Sequence, residues 1–200
     1  MQIEFKTTAM NPITLNLNSI IKLTDDQFYN LATAHQDLQM ERTPTGELVI
    51  MPPTGGESGK RNADLIADLV MWNRSSKLGI VFDSSTEFNL PLGGDRSPDV
   101  SWIRLERWNA LSKKEREVFP PICPDFVIEL RSRTDRLAKL QEKMREYITS
   151  GLRLGWLINP QDLRVEIYRQ GQDVEVLQSP TSLSGEDVLP RFVLDLTFIW

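Results

Sequence analysis

The sequence predicts an α/β domain built around a mixed β-sheet. Three observations carry that expectation. Short apolar runs alternate with helix-periodic stretches, in the order helix, several strands, helix, strands. The 200 residues, 40% hydrophobic and 26% charged, suffice for one domain with a real core. No repeat, low-complexity tract or interdomain linker interrupts the chain. The expected organisation is an N-terminal arm over residues 1–20, at most an edge strand, and a single domain over 21–200.

The elements follow from local chemistry. Thr24-Asp25-Asp26-Gln27 has the capping-box pattern and starts a short helix to about Ala34. Leu38 to Arg42 and Leu48 to Met51 flank Thr43-Pro44-Thr45-Gly46, which reads as a hairpin added before the main body. A helix is expected from Glu57 to Lys77, with Leu65, Ile66, Leu69, Val70 and Trp72 on one face and Gly79 as its stop. Strands are expected at Ile80 to Asp83, Thr86 to Leu90 and Asp99 to Ile103. A short helix lies before Pro120-Pro121, and a buried strand spans Phe126 to Leu130. Asp135 to Ser150 reads as a helix closed by Gly151. Leu154 to Ile158, Arg164 to Arg169 and Val174 to Leu177 read as three strands, and the apolar tail from Val188 to Trp200 packs on the body.

Composition narrows the function classes. No apolar run approaches the ~18–20 residues of a membrane span, and the first residues lack the order of a signal peptide. The single Cys123 cannot form an intrachain disulfide, which points to a reducing cytoplasm, and its flanking prolines suggest a packed thiol. The single His35 rules out a multi-histidine metal site. Any bound metal is therefore a hard cation on oxygen ligands. The net charge of -5 argues against nucleic-acid binding by the whole surface, though not by a local basic groove. Thr54 to Arg61 fails as a phosphate-binding loop, with Thr54 at the first glycine position and Arg61 after the lysine.

The chemistry concentrates on two carboxylates. Pro98 lets a strand begin at Asp99 but not continue backwards. Glu129 lies inside Phe126-Val127-Ile128-Glu129-Leu130, where an ionised acid is expensive unless it is paired or binds a cation. Two acids on neighbouring strands with a nearby Lys or Arg are the parts needed to hold Mg²⁺ and cut a phosphodiester. Arg131 follows two residues after Glu129, on the same strand face if the strand continues. On the next helix, Leu137, Leu140, Met144, Tyr147 and Ile148 share an arc at ~100° per residue, and Lys143 stands at its rim. The snorkelling-lysine reading stays open for Lys143. Glu57 is either a helix-capping charge or a third metal ligand. Asn62 falls on an apolar arc and needs a partner. The basic stretch from Arg131 to Arg153 is either a phosphate track or a salt-bridged helix surface.

Pro98-Asp99 with Glu129-Leu130-Arg131 resembles the active-site signature of the PD-(D/E)XK nuclease superfamily. More closely, the chain resembles a bacterial family of restriction-endonuclease-like proteins. The matching runs are Arg96 to Ile103, Pro124 to Ser132, Thr134-Asp135, Lys143-Met144 with Tyr147 and Gly151, Leu154 to Pro160, and Leu183 to Pro190. The resemblance implies a restriction-endonuclease-like, four-stranded mixed core sheet flanked by helices. It also implies Mg²⁺-dependent hydrolysis of nucleic acid, DNA foremost, with Mn²⁺ as a substitute ion. Asp99 and Glu129 would be metal ligands. Where the superfamily usually has Lys, this chain has Arg131, which cannot act as a general base. In some relatives the lysine comes from a neighbouring helix, and Lys143 is the candidate. The expected catalytic set is Asp99, Glu129, Arg131 and Lys143, with Asp99, Glu129 and Glu57 as candidate metal ligands. Analogy with enzymes that cut both duplex strands points to a homodimer. The alternative is a noncatalytic nucleic-acid-binding or protein-interaction module on a degenerate nuclease fold. A third reading has the acids salt-bridged to Arg96 and Arg131.

Overall fold

A computed structural model describes residues 11–200. The part of the expected arm that falls on residues 1–10 lies outside the described residues. Strand β1 (Ile13–Leu15) is an edge strand that pairs with β3 (Leu48–Met51). Helix α1 (Asp25–Ala34) begins at Thr24, whose side chain accepts from Gln27 N while the Gln27 side chain accepts from Thr24 N. Strands β2 (Gln39–Arg42) and β3 form the expected hairpin.

Helix α2 (Gly56–Ser76) buries Leu65 and Leu69. It ends differently from the sequence expectation. Lys77 takes the left-handed cap at φ 57°, and Gly79 opens strand β4 (Gly79–Asp83). A Cβ at Gly79 would lie 2.3 Å from both the Ile103 carbonyl and the Trp102 ring, so glycine is there for a close approach between strands.

The next strands are β5 (Phe88–Asn89), β6 (Asp95–Arg96) and β7 (Val100–Arg104). The pair β6 and β5 completes a five-stranded sheet in the order β1-β3-β2-β6-β5. The region after β7 holds two helices where one was expected, α3 (Leu105–Ala110) and α4 (Lys113–Glu117). Strand β8 (Phe126–Leu130), helix α5 (Leu137–Thr149), and strands β9 (Leu154–Asn159), β10 (Arg164–Arg169) and β11 (Glu175–Gln178) follow. The main sheet runs β11-β10-β9-β8-β7-β4, with β8 and β9 parallel and the other pairs antiparallel. It is mixed, as expected, but has six strands rather than four. The tail adds a hairpin, β12 (Ser182–Ser184) with β13 (Val193–Asp195).

Alternation sorts the main sheet's side chains into two cores. Val100, Trp102, Phe126, Ile128, Leu154 and Trp156 pack with α2 and the C-terminal segment, which buries Leu189, Leu194, Leu196 and Ile199. Ile103, Val127 and Leu157 face α5, whose Met144 and Tyr147 are fully buried. Glu129 shares the parity of Val127, so it also points toward α5. A third, smaller core of Phe28, Met40 and Leu48 joins α1 to the five-stranded sheet. Cys123 is buried, and burial pushes its thiol up to about 12, the state of a packed thiol.

Gly79→Ala should destabilise the protein by ~1–3 kcal/mol through overpacking at the β4–β7 contact. Urea denaturation followed by tryptophan fluorescence measures it. A change within ~0.5 kcal/mol would show that the edge strand moves aside freely.

Candidate active site

The register of β7 on β8 pairs Val100 with Ile128. One step further along that ladder, Asp99 stands opposite Glu129, which makes the two acids cross-strand neighbours. Asp99 is half-buried. Its Oδ2 accepts from Leu130 N at 2.7 Å, and its Oδ1 accepts from Asn62 Nδ2 at 2.9 Å. The inward polar group on α2 therefore finds its partner in Asp99. Burial raises the Asp99 carboxyl above its ordinary value, while the Leu130 N–H, Lys143 and Asn62 pull the other way.

Glu129 is 3% exposed. Its Oε1 accepts from Tyr147 Oη at 2.9 Å and lies 2.8 Å from Lys143 Nζ. Its Oε2 takes no hydrogen bond from any described residue. Lys143 is the hub of the site. Its Nζ reaches Glu129 Oε1 and Glu41 Oε1 at 2.8 Å each, and the Ser97 carbonyl at 3.2 Å. The Ser97 carbonyl takes a hydrogen bond from the ammonium, and the two carboxylates form ion pairs with it. Burial would lower the Lys143 pKa, but Glu129 and Glu41 outweigh it and raise it above the ordinary lysine value. The pairing favours the charged ammonium, which faces the acids instead of snorkelling to solvent.

Glu41 was missed by sequence reasoning. It is a buried acid on β2 whose Oε1 also accepts from Ser97 N at 3.0 Å, and whose Oε2 meets Arg96 Nη1 at 3.0 Å. Lys143 and Arg96 overcome the effect of burial and hold Glu41 below the usual carboxylate range. Arg96 makes a second pair with Glu146 on α5, with Nε 3.0 Å from both carboxylate oxygens. Glu87 is buried near this group with Oε1 unpartnered among the described residues. Burial, with Glu41 and Asp95 adding to it, pushes Glu87 up to about 9. Burial likewise pushes Glu129 up to about 8, Lys143 opposing and Asp99 and Glu41 adding. Five carboxylates (Glu41, Glu87, Asp99, Glu129, Glu146) thus share two cations, Lys143 and Arg96.

Two candidates stand apart from this cluster. Arg131 leaves the end of β8 and binds Asp162 Oδ2 at 3.1 Å, Asn159 Oδ1 at 3.3 Å and the Asp135 carbonyl at 3.3 Å. Glu57 lies exposed in the first turn of α2, and the side chain that α2 sends to Asp99 is Asn62. Among the described residues, no three Asp, Glu, His or Cys side chains form a ready-made metal cage. Neither Arg96 nor Arg131 pairs with Asp99 or Glu129, so the purely salt-bridged reading lacks its bridges.

Comparison with known proteins assigns a family to this arrangement. The profile of Uma2, described as "putative restriction endonuclease", matches residues 25–197. The chain belongs to the Uma2 family. Among solved structures, it is similar to "a putative nuclease belonging to DUF820 from Anabaena variabilis ATCC 29413", with 20% identity and a TM-score of 0.74. The match covers 88% of this chain and 97% of that one, and it shows a shared fold. No curated protein matches. No described helix is long and apolar enough to cross a membrane. Asp99, Glu129 and Lys143 all lie within the span matched to Uma2, and so do Glu41 and Asn62.

The charge balance has a pH consequence. Glu129 and Glu87 bind protons more tightly folded than unfolded. Their stabilisation is full below the ordinary value of 4.5 and is lost as pH rises through about 8 and about 9. Melting temperature without divalent cations should fall across that window, and Glu87→Gln should flatten the alkaline part of the fall. Identical pH profiles for the two proteins would remove Glu87 from the balance. Lys143→Met leaves Glu129 without its counter-ion and Glu41 with Arg96 alone, and should cost ~3–5 kcal/mol in urea denaturation.

Proposed function

We propose that this chain is a divalent-cation-dependent endonuclease acting on nucleic acid, with DNA as substrate and Mg²⁺ or Mn²⁺ as the ion. The observation that carries this reading is the placement of Lys143 Nζ 2.8 Å from Glu129 Oε1, with Asp99 next to Glu129 across the β7–β8 ladder.

The donor set suits a hard cation. Asp99 and Glu129 supply carboxylate oxygens, and Glu129 Oε2 has no competing hydrogen bond from a described residue. Mg²⁺ characteristically takes one or two carboxylates and keeps several waters, so a three-acid cage is not required. We assign the ion to Asp99 and Glu129. Glu57 stays outside that pair, because α2 turns Asn62 toward Asp99. When bound, the ion polarises the phosphate and lowers the pKa of water beside it.

The protein's own groups do the rest. Tyr147 and Lys143 together hold Glu129 Oε1 and fix the carboxylate's orientation. Lys143, held charged between Glu129 and Glu41, acts on the attacking water through Glu129 and stabilises the charge developing on the phosphate. Arg131, tied to Asp162, is assigned to the phosphate backbone beside the scissile bond. Arg133 and Arg136 extend that flank, both exposed and without a carboxylate partner among the described residues. Other cations of the expected basic track are internally paired, Lys139 with Glu142 and Arg153 with Asp187.

A noncatalytic nucleic-acid-binding module on the same fold is the second reading. The observation favouring it is that Arg131, in the usual lysine position, turns away to Asp162.

Asp99→Asn and Glu129→Gln should each abolish Mn²⁺ binding in calorimetry, and unchanged affinity in both would end the cation assignment. Lys143→Ala, normalised to its folded fraction, should cut Mg²⁺-dependent DNA cleavage by ~100-fold or more with metal binding retained. Metal binding without cleavage by the wild-type protein would favour the noncatalytic reading. Arg133→Ala and Arg136→Ala should each reduce the slope of log affinity against log salt by about one unit.

A further inference from the structure

Asn62 carries one of the few unsatisfied polar atoms of the described chain. Its Nδ2 donates to Asp99 Oδ1 at 2.9 Å, while its Oδ1 is buried and has no hydrogen-bond partner among the described residues. Turning the amide over would set Oδ1 against the Asp99 carboxylate oxygen, an acceptor facing an acceptor, so the orientation is fixed by its one bond. A buried carbonyl oxygen without a donor is unfavourable in an otherwise well-satisfied structure. The neighbouring groups offer no remedy. Both Asp99 oxygens are already accepting, and the Lys143 ammonium lies against Glu129, Glu41 and the Ser97 carbonyl. Among the described residues no donor is left for it, and its amide partner Nδ2 already lies on the Asp99 carboxylate.

We propose that Asn62 is a positioning residue for the cation site: its N–H fixes the Asp99 carboxylate, and its Oδ1 accepts a hydrogen bond from a water in the hydration shell of a divalent cation on Asp99 and Glu129. This rests on the reading of Asp99 and Glu129 as cation ligands. The chemical logic is that of outer-shell groups elsewhere. A hydrated Mg²⁺ carries strongly polarised O–H donors, and a preplaced amide oxygen orients one of them. The amide thus acts on both sides of the ion, holding a ligand with its nitrogen and a bound water with its oxygen.

Calorimetric titration of the intact chain with Mn²⁺, together with the Mn²⁺-induced rise in melting temperature, tests this. Asn62→Ala removes donor and acceptor and should weaken Mn²⁺ binding by ~10–100-fold. Asn62→Asp has the same size, loses the donor and keeps an acceptor oxygen. It should lower the melting temperature of the metal-free protein by facing Asp99 with a second carboxylate, while keeping Mn²⁺ affinity within about threefold of wild type or tighter. Its Mn²⁺-induced melting shift should then exceed that of the wild type. Unchanged affinity in Asn62→Ala, with only a lower melting temperature, would make Asn62 a purely structural partner of Asp99 and overturn the inference. Equal weakening in both variants would overturn it too, because the donor alone would then matter. If Asn62→Ala does not fold, the Asn62→Asp comparison decides alone. Failure of the wild-type protein to bind Mn²⁺ would instead strike the cation assignment itself, a result visible before any variant is made.

Discussion

The arrangement depends on one buried ammonium. Lys143 sits between an acid from the main sheet, Glu129, and an acid from the smaller sheet, Glu41, and caps the Ser97 carbonyl in the strap leading into β7. Burying a charge is expensive, and the expense is offset only when every proton finds an acceptor. Here two carboxylates at 2.8 Å and the Ser97 carbonyl surround it. The same contacts hold the two sheets and α5 in one relation, and Arg96 repeats the connection from β6 to Glu41 and Glu146. Removing the ammonium therefore disturbs more than one carboxylate.

The cluster is acid-rich by design of its neighbours, not by exposure. Glu41 is held ionised because it has two cations, whereas Glu87 has an unpartnered oxygen and keeps its proton most firmly. Glu129 stands between these cases. It has Lys143 and Tyr147 on one oxygen and open valence on the other. A group in that position is suited to exchange a proton for a stronger cation, which links divalent-ion affinity to pH. Asp99, held by a backbone N–H and an amide, differs in kind: its partners are neutral, so they fix its direction without neutralising its charge.

Much of this was legible in the sequence, for physical reasons. Pro98 marked the start of β7 and so the position of Asp99, and an acid inside Phe126–Leu130 had to be a buried one. Helical periodicity put Lys143 beside Tyr147, and an inward Asn62 announced a missing partner. Glu41 was not legible. Met40, Glu41 and Arg42 are consecutive buried side chains, because α1 and its core cover one face of β2 while the site covers the other. A strand covered on both faces loses the in-and-out alternation that a reader uses. Arg96 was named as a pairing cation, but its partners Glu41 and Glu146 were not legible, because β6 is two residues long, too short for any period. The end of α2 misled because Gly79 looks like a helix stop, while its real role, close approach to Trp102, depends on a strand more than twenty residues later.

Several contacts of the cluster join distant parts of the chain. Arg96 and Glu41 are 55 positions apart, Arg96 and Glu146 are 50, and Lys143 and Ser97 are 46. Each contact requires closure of a long loop, and entropy defers such closures until local elements exist. A newly made chain can form α1, α2 and the first hairpin without assembling any of the site. Carboxylates and ammonium meet only once α5 docks on both sheets, so a half-folded molecule holds the parts but not the constellation. The order of assembly is itself a safeguard: a protein proposed to cut nucleic acid would be inert until its fold is complete.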